Sequence, residues 1–174
     1  MMYFYALSAA IVIADQLLKA YMSSLLTLCQ PGSCPSIEIL PIFKLTLLHN
    51  EGAAFSFLHD AGGWQRWFLV AVSTGVSLFI GGWLFRIYRQ QALLAWALAL
   101  ILGGAVGNLI DRAAQGYVVD FLVFYYDVYY FPAFNIADTA ITIGAGLLII
   151  DMLLESKREK ARVTDRPVSE ERDE

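Results

Sequence analysis

Tyr117 to Asp138, YVVDFLVFYYDVYYFPAFNIAD, decides how the chain is read. The stretch lies between two long apolar runs and carries an acidic residue near each end, Asp120 and Asp138. Carboxylates inside a membrane or at its edge are costly to place, so they mark functional sites by default. Both aspartates are expected where a membrane helix meets water. The rest of the chain is then expected to hold the two side chains together at a bilayer surface.

Outward from that stretch, the composition is that of an integral membrane protein. Of 174 residues, 58% are hydrophobic and 16% are charged, with a mean hydropathy of +0.57. Soluble domains carry about 25% charged residues, and a membrane helix needs about 20 mostly apolar ones. Spans are expected at about 2–24, 64–86, 92–112 and 136–154. The first run lacks a basic n-region, and Asp15 and Lys19 interrupt the place of a cleavage site, so it reads as a retained span and not a signal peptide. Ile37 to Asn50, with partial alternation and β-branched residues, reads as one or two short strands.

The expected fold is therefore an α-helical membrane protein. It has four transmembrane helices, a small extracytoplasmic β-containing region and a periplasmic loop or helix. Residues 1–155 form one membrane-embedded domain, and 156–174 a charged cytoplasmic tail expected to be disordered. About half of the net charge of −4 comes from Arg162 to Glu174, RVTDRPVSEERDE, which carries three basic and five acidic residues. No basic face with interleaved aromatics exists, which argues against a nucleic-acid partner.

Lys and Arg near span ends set orientation. Arg86, Arg89, Lys157, Arg158, Lys160 and Arg162 share one side, against Lys44, Arg66 and Arg112 on the other. The larger set is expected in the cytoplasm with both termini, which puts the 29–63 and 117–135 loops outside. Trp64, Trp67 and the aromatics from Tyr125 to Phe131 then fall at the outer interface.

Several groups can carry chemistry. Asp15 and Lys19 are four residues apart on one helix face. Near the end of their span they read either as an ion pair that snorkels toward water or as a charged wall of the site. Asn50, in NEGAAFSF, forms an Asx turn or hydrogen-bonds a substrate peptide or catalytic carboxylate. In GGAVGNLIDR, Gly103 and Gly107 form a small-xxx-small pair for helix packing. Asn108 and Arg112 lie one turn apart there, at the depth of a wet pocket.

Asp120 and Asp138 are 18 residues apart, so nothing local forces them together. Two carboxyls within hydrogen-bond reach cannot both ionise easily, and one keeps its proton. One then serves as base toward water while the other polarises the scissile carbonyl as acid. Asp138 also suits the N-terminus of a helix for its dipole alone, and Asp111 and Asp127 remain competing carboxylates on chemistry alone. Nucleophile-elbow, HExxH and phosphate-loop motifs are absent from the sequence. Cys29 and Cys34, with His49 and His59, fit no usual zinc spacing. Neither metal nor cofactor is expected. The two cysteines flank a Pro-Gly turn and are read equally well as a disulfide or as free thiols.

Five blocks in order resemble bacterial lipoprotein signal peptidase, also called signal peptidase II: Asp15–Lys19, Asn50–Ser56, Gly103–Arg112, Val118–Phe121 and Phe134–Asp138. The resemblance runs from about Ala14 to Asp151. It implies an aspartic endopeptidase on the outer face of the inner membrane. Such an enzyme removes signal peptides from prolipoproteins, cutting before a cysteine that bears a diacylglyceryl group, and is inhibited by the cyclic depsipeptide globomycin. It implies Asp120 and Asp138 as the dyad, over Asp111 and Asp127. Asn50, Gly52, Asn108, Arg112, Asn135 and Ala137 are implied as supporting site residues, with Asp15 and Lys19 a first-span polar pair close by. The Cys29–Cys34 segment and the acidic tail lie outside the resemblance. An intramembrane protease cutting within a spanning substrate would call for Tyr-Asp and Gly-x-Gly-Asp motifs deep in helices. A transporter would call for polar residues through the full depth of the bilayer.

Overall fold

The computed structural model describes residues 2–52 and 64–164. In chain order the elements are α1 (Met2–Leu25), β1 (Ile37–Leu40), β2 (Phe43–Asn50), α2 (Trp64–Ile87), α3 (Ala92–Gln115), β3 (Val118–Tyr126), β4 (Tyr129–Tyr130) and α4 (Ile136–Thr164). All four helices are long and apolar enough to cross a membrane. Each of α1, α2 and α3 has 24 residues, or about 36 Å at 1.5 Å per residue, against a hydrocarbon core of about 30 Å.

The bundle is organised around α3, the most buried of the four, which packs against α1, α2 and α4. Between apolar helices in lipid, close packing rather than hydrophobicity drives association, so small residues fall at the contacts. A Cβ at Gly103 would meet Ile11 and the Ser8 carbonyl of α1, both at 2.9 Å, and one at Gly104 would overlap the Ala137 carbonyl of α4. Gly144 of α4 lies correspondingly close to the Ala97 carbonyl, 2.8 Å from a built Cβ. Phe4, Ile80, Leu84, Leu94 and Leu98 fill the end of the bundle away from the sheet. Many large apolar side chains of α1, α2 and α4 remain exposed, as lipid-facing surfaces are.

At the other end lies a four-stranded antiparallel sheet of order β1-β2-β3-β4. Leu26, Leu47, Val119 and Phe121 form a second core between α1 and this sheet. Strands were expected over Ile37–Asn50 and are found there. The stretch 117–135, expected as a loop or helix with Asp120 at a helix end, is instead a β-hairpin. Gly116, at φ +90°, stops α3 with its N–H on the Arg112 carbonyl 3.1 Å away, and β3 begins two residues later. Its sequence, VVDFLVFYY, is β-branched and aromatic and finds β2 beside it. The same aromatics suit a membrane interface, which is why the strand was missed. Asp127 takes the left-handed turn position at φ 53°, exposed at the hairpin tip and away from the site.

One further difference concerns the C-terminal end. The tail was expected to be disordered from 156, yet α4 runs on to Thr164. Residues 155–162, ESKREKAR, are almost all strong helix formers, with opposite charges three apart at Glu155–Arg158 and Glu159–Arg162. The rest of the expected tail, 165–174, lies outside the described residues, as do Ala53 to Ser56 of the second block and His59. Cys29 and Cys34 are joined as a disulfide, across the tight turn in which Gln30 and Ser33 exchange backbone hydrogen bonds.

Candidate active site

The hairpin answers how 18 residues return. Phe131 N–H donates to the Phe124 carbonyl, and Phe134 and Leu122 exchange hydrogen bonds at 3.0 and 2.9 Å. The returning chain thus runs beside β3 and delivers Asn135 next to Asp120. One residue further on, α4 begins. Asn135 caps it: its Oδ1 accepts the Asp138 N–H at 3.0 Å, while Asp138 Oδ2 accepts the Asn135 N–H at 3.2 Å. This is a reciprocal capping box, with the carboxylate at the third helical position.

The Asn135 amide, fully buried, donates to Asp120 Oδ1 at 2.7 Å and lies 3.2 Å from Asn108 Oδ1. Asn108 in turn donates to Asp138 Oδ1 at 2.7 Å. One asparagine therefore touches both aspartates, and a second closes the circuit. On β2, Leu48 pairs with Asp120 and Asn50 with Val118, which puts Asn50 and Asp120 on the same face. Asn50 Nδ2 donates to Asp120 Oδ2 at 3.1 Å, and Asn50 Oδ1 accepts the Gly52 N–H at 3.2 Å. Both readings of Asn50 hold at once: it closes an Asx turn and contacts a carboxylate.

Asp120 is 3% exposed. Burial, and next the neighbouring Asp138 carboxylate, push its carboxyl from 3.8 up to about 7, against the hydrogen bonds from Asn50 and Asn135. Asp138 lies on the wall of a cleft of about 720 Å³, with Asn50, Arg112, Phe124, Phe131, Thr142 and Ile143 among the lining residues. Arg112 donates to the Gly52 carbonyl at 3.3 Å, and its buried Nε has no hydrogen-bond partner among the described residues.

Asp15 and Lys19 do not snorkel. They are 0% and 3% exposed, 2.7 Å apart, and covered by α3 and α4. Asp111, 2.8 Å from Lys19, supplies a second carboxylate, and Asp15 Oδ1 accepts the Ala137 N–H at 2.9 Å. Those partners replace the water that the pair was expected to reach, as a buried charge requires. Lys19 also donates to Asn108 Oδ1 at 3.0 Å, which links this cluster to Asp138. Gly107 leaves the room for it: a Cβ there would meet Asp15 Oδ2 at 2.8 Å and the Ala137 methyl at 3.2 Å.

All ten expected site residues thus lie in one connected region. Two further members went unassigned: Asp111, weighed only as a rival carboxylate, and Gln16, which donates to Asp111 Oδ1 at 2.8 Å. Their signal was helical spacing. Asp111 follows Gly107 and Asn108 by four and three residues, on the face where Asp15 and Lys19 needed partners.

The family profile "Signal peptidase (SPase) II" matches residues 7–154. A lipoprotein signal peptidase of Teredinibacter turnerae is 49% identical over 156 residues, covering 90% of each chain. One of Alteromonas mediterranea is 53% identical over 146 residues, covering 84% of this chain and 78% of the relative. A solved bacterial membrane enzyme superposes with a TM-score of 0.74 at 29% identity, covering 97% of this chain and 95% of that one. With most of its length matched by the profile and by relatives at about half identity, the chain belongs to the signal peptidase II family.

Proposed function

We propose that Asp120 and Asp138 are the catalytic dyad of this membrane aspartic endopeptidase, which removes signal peptides from prolipoproteins. The observation that carries the reading is the pair of carboxyls bridged by Asn135, one on the wall of the cleft and the other buried with its pKa at about 7. In this reading Asp120, the more deeply buried of the two carboxyls, carries the shared proton at rest. Asp138 takes a proton from water, the hydroxide adds to the scissile carbonyl, and the Asp120 proton passes to the carbonyl oxygen. The resulting diol collapses as Asp138 gives its proton to the leaving nitrogen and Asp120 recovers one from the hydroxyl. Arg112, with its unpartnered Nε, fits a substrate carbonyl beside the dyad.

The substrate we infer carries a diacylglyceryl-cysteine and is cut before that residue. Thr142 and Ile143 extend the cleft along α4 from Asp138 into the spanning region, opposite Phe124 and Phe131 of the hairpin. Acyl chains fit that opening while membrane lipids surround it. Burying methylenes cannot itself select the substrate, because free precursor is equally buried in lipid; shape and head-group contacts must. A globomycin-type depsipeptide fits the same cleft as an inhibitor. The cation bias and the disulfide in the 29–34 turn support an inner-membrane protein with sheet and site on the periplasmic face and both termini in the cytoplasm.

The test uses purified protein with lipidated and unlipidated precursor. Asp120→Asn and Asp138→Asn are each expected to abolish cleavage while leaving membrane insertion intact. Full activity in either variant removes that residue from the dyad, and equal rates on the two precursors refute lipid selection.

A further inference from the structure

Asp111 is buried, carries charge and takes no part in the proposed chemistry. Its Oδ1 accepts from Gln16 of α1 at 2.8 Å. Its Oδ2 accepts from the Lys19 ammonium at 2.8 Å and from the Val119 N–H at 3.2 Å. The last contact is unlike the others. Val119 directly precedes Asp120, and its carbonyl lies 3.3 Å from the Asn135 amide nitrogen. The peptide leading into Asp120 is therefore held from α3 on one side and from the cap of α4 on the other.

The geometry points to Asp111 as a positioning residue for Asp120: by fixing the Val119 amide from inside the bundle, it sets the height and register at which β3 presents its carboxyl to Asp138. This rests on the dyad reading above. The blander alternative is that Asp111 only balances Lys19. That leaves the Val119 contact without a role, and Asp15 already pairs with Lys19 at 2.7 Å. A carboxylate is suited to the task because it accepts from three donors at once. An amide in its place has one oxygen for the same three.

Two measurements on the full chain in lipid vesicles separate these readings. The first is kcat and KM on lipidated precursor for Lys19→Met and for Lys19→Met with Asp111→Ala. Positioning predicts a further loss in kcat on the order of tenfold, with KM within about threefold. Counter-charge alone predicts no loss, since the second substitution removes an uncompensated buried carboxylate. A further loss of threefold or less overturns the proposal.

The second needs neither activity nor the alanine variant. Hydrogen exchange at residues 118–121 in Asp111→Asn is expected to quicken about tenfold or more while α1 and α4 keep wild-type exchange. Unchanged exchange there overturns the proposal. Failure of the dyad reading looks different: Asp120→Asn or Asp138→Asn would stay active whatever β3 does.

Discussion

Replacing Asp120 with asparagine removes one titrating group from a nearly closed environment, and the effect on stability has a definite sign. In the unfolded chain an aspartate releases its proton near 3.8; in the fold, burial and Asp138 hold that of Asp120 to about 7. Between those values the native state binds more protons than the unfolded one, so stability falls as pH rises through the window. Each tenfold change in proton affinity is worth about 1.4 kcal/mol, so the gap of roughly three decades corresponds to about 4 kcal/mol between pH 4 and pH 8. For a chain of this length that is a fall in melting temperature on the order of 10 °C. Asp120→Asn has nothing to titrate at that position, and its melting temperature is expected to fall clearly less than the wild type's over the same window. Thermal unfolding of both proteins in one detergent, at pH 4 to 8, reads the difference. Parallel curves for the two proteins would refute the argument, as would a wild type that gains stability toward pH 8.

Three further outcomes follow from the contacts. Asn135→Ala removes a hydrogen bond to a carboxylate and the cap of α4 together. Unfolding should show a loss of about 2–4 kcal/mol, and the same protein should cleave precursor at least tenfold more slowly. Gly104→Ala places a methyl against the Ala137 carbonyl and is expected to destabilise by about 1–3 kcal/mol, whereas Gly146→Ala, with open space around it, should be neutral or slightly stabilising; equal melting temperatures for the two would count against the packing described. Lys19→Met leaves Asp15 and Asp111 buried together without their cation. A loss of about 3–5 kcal/mol is expected, visible as a lower yield of folded protein from membranes.

Much of this was legible in the sequence, for reasons that differ by element. The helices were readable because lipid demands long uninterrupted apolar runs, and the gathering of the candidate site residues because their motifs stand in order along the chain. The hairpin was not. Tyr and Phe serve a strand and a membrane interface equally well, and only the pairing with β2 distinguishes them. Asp15 and Lys19 were misplaced at a wet helix end because a single helix shows no neighbours. Burial became possible once Gly107 admitted the pair against α3 and Asp111 supplied the second carboxylate. Asp111 was set aside as a weaker rival for the dyad, since its value lies in a backbone amide eight residues away that no side-chain pattern reports.

The paired backbone of Leu122 and Phe134 has one more consequence. It closes the hairpin at its base, so the geometry of Asp120, Asn135 and Asp138 is fixed before the chain reaches Phe124 or after it has left Phe131. Past Phe124 and Phe131, which line the cleft, the tip is an appendage on a finished frame. Its turn can be shortened, lengthened or exchanged without moving either aspartate, which makes the tip the natural place to graft a reporter and the part of the molecule most open to change between one substrate repertoire and another.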